Sequence, residues 1–180
     1  MTVVFLDIDS VLNHSPVGEC YEGGECGFVD ERTPISKDNL FALEYIVENT
    51  TNNRFVWSTS WVVEKEETWN GWNNPRLYIE RLPWMKDMII GSTPRKMSSE
   101  RHEEIHFWLY ENEYNLKMRR GVHYDITNFA ILDDEKYGME RYGDHYFNCQ
   151  WSTGITMEQA ENVVEYLKKN DYRKDDWFRC

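Results

Sequence analysis

The chain has 180 residues, 41% of them hydrophobic and 29% charged, with 10 Gly and 5 Pro; this suits one α/β domain with a substantial core and excludes collagen-like, repeat and low-complexity architectures. Its 32 acidic and 20 basic residues leave a formal charge of -12, which argues against coating extended duplex nucleic acid but leaves room for a strand end or nucleotide in a local basic pocket. No apolar run reaches the roughly 18–20 residues of a membrane span, and the N-terminal segment has no basic region before its short apolar run, so a cytoplasmic location is expected.

Residues 2–6 form a continuous β-prone run of the kind buried on both faces of a parallel sheet, and it ends in Asp7-Ile8-Asp9-Ser10. Residues 14–33 are rich in Gly and acids without a period and are expected to form a loop or small flap. Cys20 and Cys26 lie there, and their spacing does not match zinc, so free thiols are the expected state of the cysteines. Ser36 reads as the N-cap of a helix carrying Leu40, Leu43, Ile46 and Val47. After a polar break at 49–53, Phe55-Val56-Trp57 is a strand ending in Ser58-Thr59-Ser60-Trp61. The aromatic stretch from Trp69 to Trp84 is expected to hold one short helix near Arg76 to Arg81.

Met88-Ile89-Ile90 is a third strand, and Ser98 or Ser99 is a candidate cap for a helix presenting Ile105, Trp108 and Leu109. Phe129 to Leu132 is a fourth strand, followed by Asp133-Asp134-Glu135, and a fifth short strand is expected within His145 to Cys149. Thr156-Met157-Glu158-Gln159 is a capping box that opens a helix with Ala160, Val163, Val164 and Leu167 on its apolar stripe. The residues from Asp171 onward are expected to fray.

Strands alternating with helices predict a parallel sheet in a single domain over residues 1–180, with ligands bound at the carboxyl ends of its strands. Two strands end in aspartate pairs and one in hydroxyls. Asp7 and Asp9, two apart on an extended chain, are expected to point to one side. Carboxylates held that close require a cation or a proton, and an all-oxygen set of Asp7, Asp9, Asp133 and Asp134 suits Mg²⁺. In that setting Asp7 can attack phosphorus, and Asp9 can protonate the leaving alkoxide and later deprotonate water. Thr59 or Ser58 can donate to phosphoryl oxygens, and Lys96 or Arg101 can neutralise them. His14, Trp61, Trp69 and Trp72 are candidates for a substrate-facing rim.

Phe5-Leu6-Asp7-Ile8-Asp9-Ser10-Val11-Leu12-Asn13 resembles the first motif of the haloacid dehalogenase (HAD) superfamily, with Ser10 where Gly is usual. Val56 to Trp61 resembles its second motif, and Ile131 to Glu135 its fourth. Thr93-Pro94, the helix with Arg101, Glu104, Ile105, Trp108 and Leu109, and Gly154-Ile155-Thr156 are similar to the HAD domain associated with "Swiss army knife" RNA repair proteins. The resemblance implies a three-layer Rossmann-like domain with helices on both faces of the sheet and a small flap after the first strand. It also implies a Mg²⁺-dependent phosphatase working through an aspartyl-phosphate, with the Asp9 backbone carbonyl among the metal ligands. The substrates it implies are nucleotides or nucleic-acid ends. It favours Thr59 over Ser58 and divides between Arg101, from the subgroup's helix, and Lys96, from the wider family. A small-metabolite phosphatase and a catalytically silent binding domain on the same fold are the competing readings.

Overall fold

The computed structural model describes residues 1–14, 28–30, 33–62, 68–69, 72–95, 99–113 and 126–169. β1 (Thr2–Leu6) is buried from Val3 onward, as an apolar run of this kind requires. β2 (Phe28–Asp30) and β3 (Thr33–Ser36) pair antiparallel, so the segment expected as a loop or flap ends in a hairpin. α1 (Lys37–Asn49) starts at Ser36, whose Oγ accepts from the Asn39 N–H at 3.4 Å. β4 (Asn53–Trp57) follows the polar break.

The aromatic stretch adds an element the sequence pattern hides. β5 (Thr68–Trp69) and β6 (Trp72–Asn73) form a two-residue antiparallel ladder with Trp69 opposite Trp72. Two residues per strand are too few to show a period. α2 (Pro75–Glu80) then begins with proline at its first position and is capped by Asn74, whose Oδ1 accepts from the Arg76 N–H at 3.0 Å. β7 (Ile89–Ser92) is partly exposed at the sheet edge.

α3 (Arg101–Glu113) begins two residues after Ser99, and Ser98, the other candidate cap, lies outside the described residues. The Glu100 carbonyl accepts from the N–H groups of Glu103 and Glu104, while the Ser99 hydroxyl donates to Glu104 Oε1 at 2.9 Å. β8 (Asn128–Asp133) is buried throughout, and a 3₁₀ segment over Met139–His145 leads into β9 (Tyr146–Asn148). α4 (Met157–Lys169) opens with both halves of the capping box: Gln159 N–H donates to Thr156 Oγ1, and Thr156 N–H donates to Gln159 Oε1.

The central sheet has the order β7-β4-β1-β8-β9, and every pairing is parallel. The chain steps outward from β1 through β4 to β7, then returns to β8 on the other side of β1. The switch in strand order therefore lies beside β1. Alternate residues divide the core. Val4, Leu6, Phe55, Trp57, Ala130 and Leu132 pack with α1 and α4, whereas Val3, Phe5, Val56, Phe129 and Ile131 pack with α3 and the 3₁₀ segment. This is a three-layer α/β domain with helices on both faces.

Cys149 is buried and free, and burial pushes its thiol pKa up; Cys20, Cys26, Cys180 and the tail from Asp171 lie outside the described residues. Among the described residues, no helix is long and apolar enough to cross a membrane.

The turn after β9 is held against the loop after β1. Ile155 N–H donates to the Val11 carbonyl at 2.9 Å, and Asn39 Nδ2 donates to the carbonyls of Thr153 and Ile155 at 2.8 and 2.7 Å. Gly154 has φ +65°, and a Cβ there would lie 2.6 Å from both Asn39 Oδ1 and Val11 O. Gly154→Ala should therefore lower stability by about 2–3 kcal/mol, checked by the shift of the denaturant midpoint at unchanged slope.

Candidate active site

Parallel pairing without a slip places the ends of three strands at one level. Leu6 pairs with Trp57 on one side and Leu132 on the other. The ladder runs one residue further, because Ser58 N–H donates to Leu6 O at 2.9 Å and Asp7 N–H donates to Leu132 O at 3.1 Å. Asp7, Ser58 and Asp133 are consequently neighbours, although 126 positions of sequence separate the first from the last.

Asp7, Asp133 and Asp134 each offer a carboxylate oxygen, and those atoms lie within 4.8 Å of one another. Asp7 and Asp133 are buried. Among the described residues one cation is ion-paired with them: Arg101, from the first position of α3, places Nη2 3.3 Å from Asp7 Oδ2 and Nε 3.4 Å from Asp133 Oδ2. Its Nη1 donates to Ser58 Oγ at 3.4 Å. Asp7 Oδ1 accepts from the Ile8 N–H at 2.7 Å, and Asp133 Oδ1 accepts from the Glu135 N–H at 2.9 Å. Asp133 Oδ2 is buried and accepts no hydrogen bond.

Burial dominates the electrostatics. Desolvation raises Asp7 to about 6 against the lowering effect of Arg101. It raises Asp133 to about 8, with the charge of Asp7 pushing the same way. Burial works against the charge on Arg101, but Asp7 and Asp133 more than offset it and hold the guanidinium pKa above its usual value. Three carboxylates and one guanidinium leave the centre net negative. The possible ligand atoms are all hard oxygens, and one buried oxygen, Asp133 Oδ2, accepts no hydrogen bond and meets only the ion pair with Arg101. Mg²⁺ fits that set.

Asp9 sits apart from this cluster. The strand stops at Leu6, and Asp9 to Leu12 form a turn, not the extended chain that would align Asp7 with Asp9. The Asp9 carboxylate is exposed and accepts from three side chains. Asn13 Nδ2 is 3.0 Å from Oδ1, Ser60 Oγ is 3.4 Å from Oδ2, and Trp61 Nε1 lies 3.2 and 3.1 Å from Oδ1 and Oδ2. Asn13 Oδ1 also accepts from the Ser10 N–H at 2.8 Å, which braces the turn. Ser10 has φ +59°, the left-handed conformation that explains why Gly is usual there.

Thr59 is buried just past β4, where its hydroxyl hydrogen-bonds Asp7 and draws the Asp7 pKa down. His14 is half-buried beyond the Asp9 turn, with Nδ1 shielded and unbonded. Trp69 and Trp72 are register partners in the β5–β6 ladder. Lys96 lies outside the described residues, so Arg101 is the candidate cation that the structure brings to the carboxylates. Asn13 and Ser60 are absent from the sequence-derived site set. The signal for Asn13 was its position four after Asp9, which becomes a contact only because residues 9–12 turn.

The family model for the HAD domain in Swiss Army Knife RNA repair proteins matches residues 3–160. No curated protein and no solved structure matches the chain.

Two measurements follow from the geometry. Asp7 and Asp133 are raised in the folded state, so the stability they favour is complete below about pH 4 and is lost as pH climbs through 6 and 8. The metal-free protein should lose Tm over that window, and the increment from Mg²⁺ should grow with pH. Asp133→Asn should raise the metal-free Tm at pH 8 and abolish the Mg²⁺ increment; a lower metal-free Tm would mean that the attraction to Arg101 outweighs the burial cost. Ser10→Gly should gain roughly 0.5–1 kcal/mol by relieving the left-handed serine, measured by chemical denaturation.

Proposed function

The chain belongs to the family of HAD domains in Swiss Army Knife RNA repair proteins, and on that premise we propose that it hydrolyses phosphate monoesters through an aspartyl-phosphate on Asp7. The observation that carries this reading is the convergence of Asp7, Asp133 and Asp134 with Arg101 and Ser58 at the carboxyl edge of one sheet. A structural salt bridge needs one carboxylate per cation. Three carboxyl groups around one arginine leave charge that a proton or a further cation balances, and the bound Mg²⁺ of this reading supplies the cation.

In the first step an Asp7 oxygen bonds to phosphorus as the ester P–O bond breaks, and Asp9 gives its proton to the departing oxygen. In the second step Asp9 takes a proton from water. The water oxygen attacks the phosphoryl group, phosphate leaves, and the Asp7 carboxylate is regenerated. Arg101, Ser58 and Thr59 supply charge and donors to the phosphoryl oxygens. Asp7, Asp133 and Asp134, with the Asp9 backbone carbonyl, would hold Mg²⁺. When bound, the ion would neutralise charge on the phosphoryl group and let buried Asp7 remain ionised at neutral pH.

We assign the substrate to nucleotides or nucleic-acid ends. The family supports this, and so does the formal charge of -12, which disfavours long duplex. The two hairpins support a rim beside the centre. Asn73 Nδ2 donates to Thr33 Oγ1 at 3.1 Å, joining β6 to β3. Ser36 N–H donates to Leu12 O at 2.9 Å, tying β3 to the turn that carries Asp9.

The test is phosphate release from nucleotides, 3′- and 5′-phosphorylated oligonucleotides, sugar phosphates and an aryl phosphate, with and without Mg²⁺. Asp7→Asn, confirmed folded, should lose at least about a thousandfold in kcat, and chelator should silence the wild type until Mg²⁺ is restored. Near-normal turnover by Asp7→Asn overturns the nucleophile assignment. Preference for sugar phosphates selects the metabolite reading, and release from none of the esters selects a silent domain.

A further inference from the structure

We infer that Trp61 is a positioning residue for Asp9: its indole N–H fixes the carboxylate that protonates the leaving group. This inference rests on the phosphatase reading above and adds to it a group that acts on no substrate atom itself.

Asp9 lies on an exposed turn, where a carboxylate would ordinarily sample several rotamers. General acid catalysis needs that carboxylate within hydrogen-bond reach of one oxygen of the bound ester. Trp61 Nε1 sits 3.2 Å from Oδ1 and 3.1 Å from Oδ2, so a single N–H straddles the carboxylate and defines its plane. Asn13 and Ser60 take the outer sides, one oxygen each. An indole N–H and an amide N–H can only donate. Trp61 therefore cannot carry the proton, and its effect must pass through the position of Asp9.

Trp61 is itself held in place. It is central in a 3₁₀ turn, Ser60–Val62, that begins two residues after Ser58. Its backbone N–H donates to Thr59 Oγ1 at 3.4 Å, and Arg95 Nη1 donates to the Ser60 carbonyl at 2.9 Å. Its ring packs against the core cluster that contains Ile8, Val11 and Leu12. Packing of the ring against the core cluster fixes the indole, and its N–H is engaged by Asp9 and not left for a ligand. The arrangement ties the segment after β4 to the acid/base group after β1.

The experiment reads the dependence on the leaving group. Departure of p-nitrophenolate needs little help from a proton, whereas departure of an alkoxide needs it fully, and kcat/KM reports the step in which the P–O bond breaks and Asp7 is phosphorylated. Trp61→Phe keeps the ring and removes the N–H. Across a series from p-nitrophenyl to alkyl phosphates, kcat/KM should fall about tenfold for the alkyl esters and less than about threefold for the p-nitrophenyl ester, a fraction of what general acid catalysis contributes. Trp61→His, which restores an N–H donor, should recover part of the difference. Ser60→Ala should change the same slope in the same direction by less, and it covers the case in which Trp61→Phe fails to fold. Equal losses across the series in folded variants overturn the inference and leave the phosphatase reading intact. A wild type that releases phosphate from no ester overturns both.

Discussion

Everything at this site follows from placing like charges where water is scarce. Asp7 and Asp133 are buried side by side, with Asp134 within reach, and among the described residues Arg101 is the cation set against them. Such a cluster is costly by itself, because desolvation penalises each carboxylate and mutual repulsion adds to the penalty. Burial raises both carboxyls, so the cluster favours taking up a proton or a further cation. The guanidinium bridges Asp7 and Asp133 and donates to Ser58 as well.

The sheet is what makes that placement possible. β1 lies between β4 and β8, paired residue for residue with both. The three chains therefore end together, and the residue after each strand is presented at the same height. Inward of that edge, Val3 to Leu6 and Phe129 to Leu132 are buried. The apolar body keeps the floor of the site rigid and dry, and the turns beyond it carry the chemistry. The segment after β9 closes the arrangement from one side. Cys149 N–H donates to Asp133 O at 3.0 Å, Ile155 N–H bonds the Val11 carbonyl, and Gly154 permits the close approach between them.

How much of this is legible in the sequence depends on the range of the interaction involved. The four longer strands of the central sheet are apolar runs that end abruptly, and such ends survive any reasonable error in boundaries. The caps at Ser36 and Thr156 are local hydrogen bonds, fixed by residues three apart, and both are present. The β5–β6 ladder is too short to carry a period. At α3 the Ser99 hydroxyl donates to the Glu104 carboxylate, a contact between side chains five residues apart, and Ser98 lies outside the described residues. The aspartates were visible as pairs after strands, but the guanidinium that joins them comes from another element, and proximity across elements is not written in local sequence. Asn13 and Ser60 were hidden for the same reason: each becomes a partner of Asp9 only after the chain has turned.

The turn itself explains how one motif can hold two carboxylates in different environments. Were residues 7–9 extended, Asp7 and Asp9 would share one face and one dielectric, and each would oppose the ionisation of the other. The chain leaves the strand at Leu6, and Ser10 takes a left-handed conformation. Val11, Leu12 and Asn13 then return their N–H groups to the Ile8 carbonyl at 3.2, 2.9 and 3.2 Å. Asp7 stays on the dry floor against Arg101, and Asp9 is lifted to the exposed rim among neutral donors. Of the causes acting on Asp7, the charge of Asp9 is the smallest and burial the largest. A nucleophile needs the first environment, where few waters compete for phosphorus. A group that must exchange protons with a leaving oxygen and then with water needs the second. A left-handed residue after the second aspartate is thus the local feature that separates the two environments, and serine fills it here at a modest conformational cost.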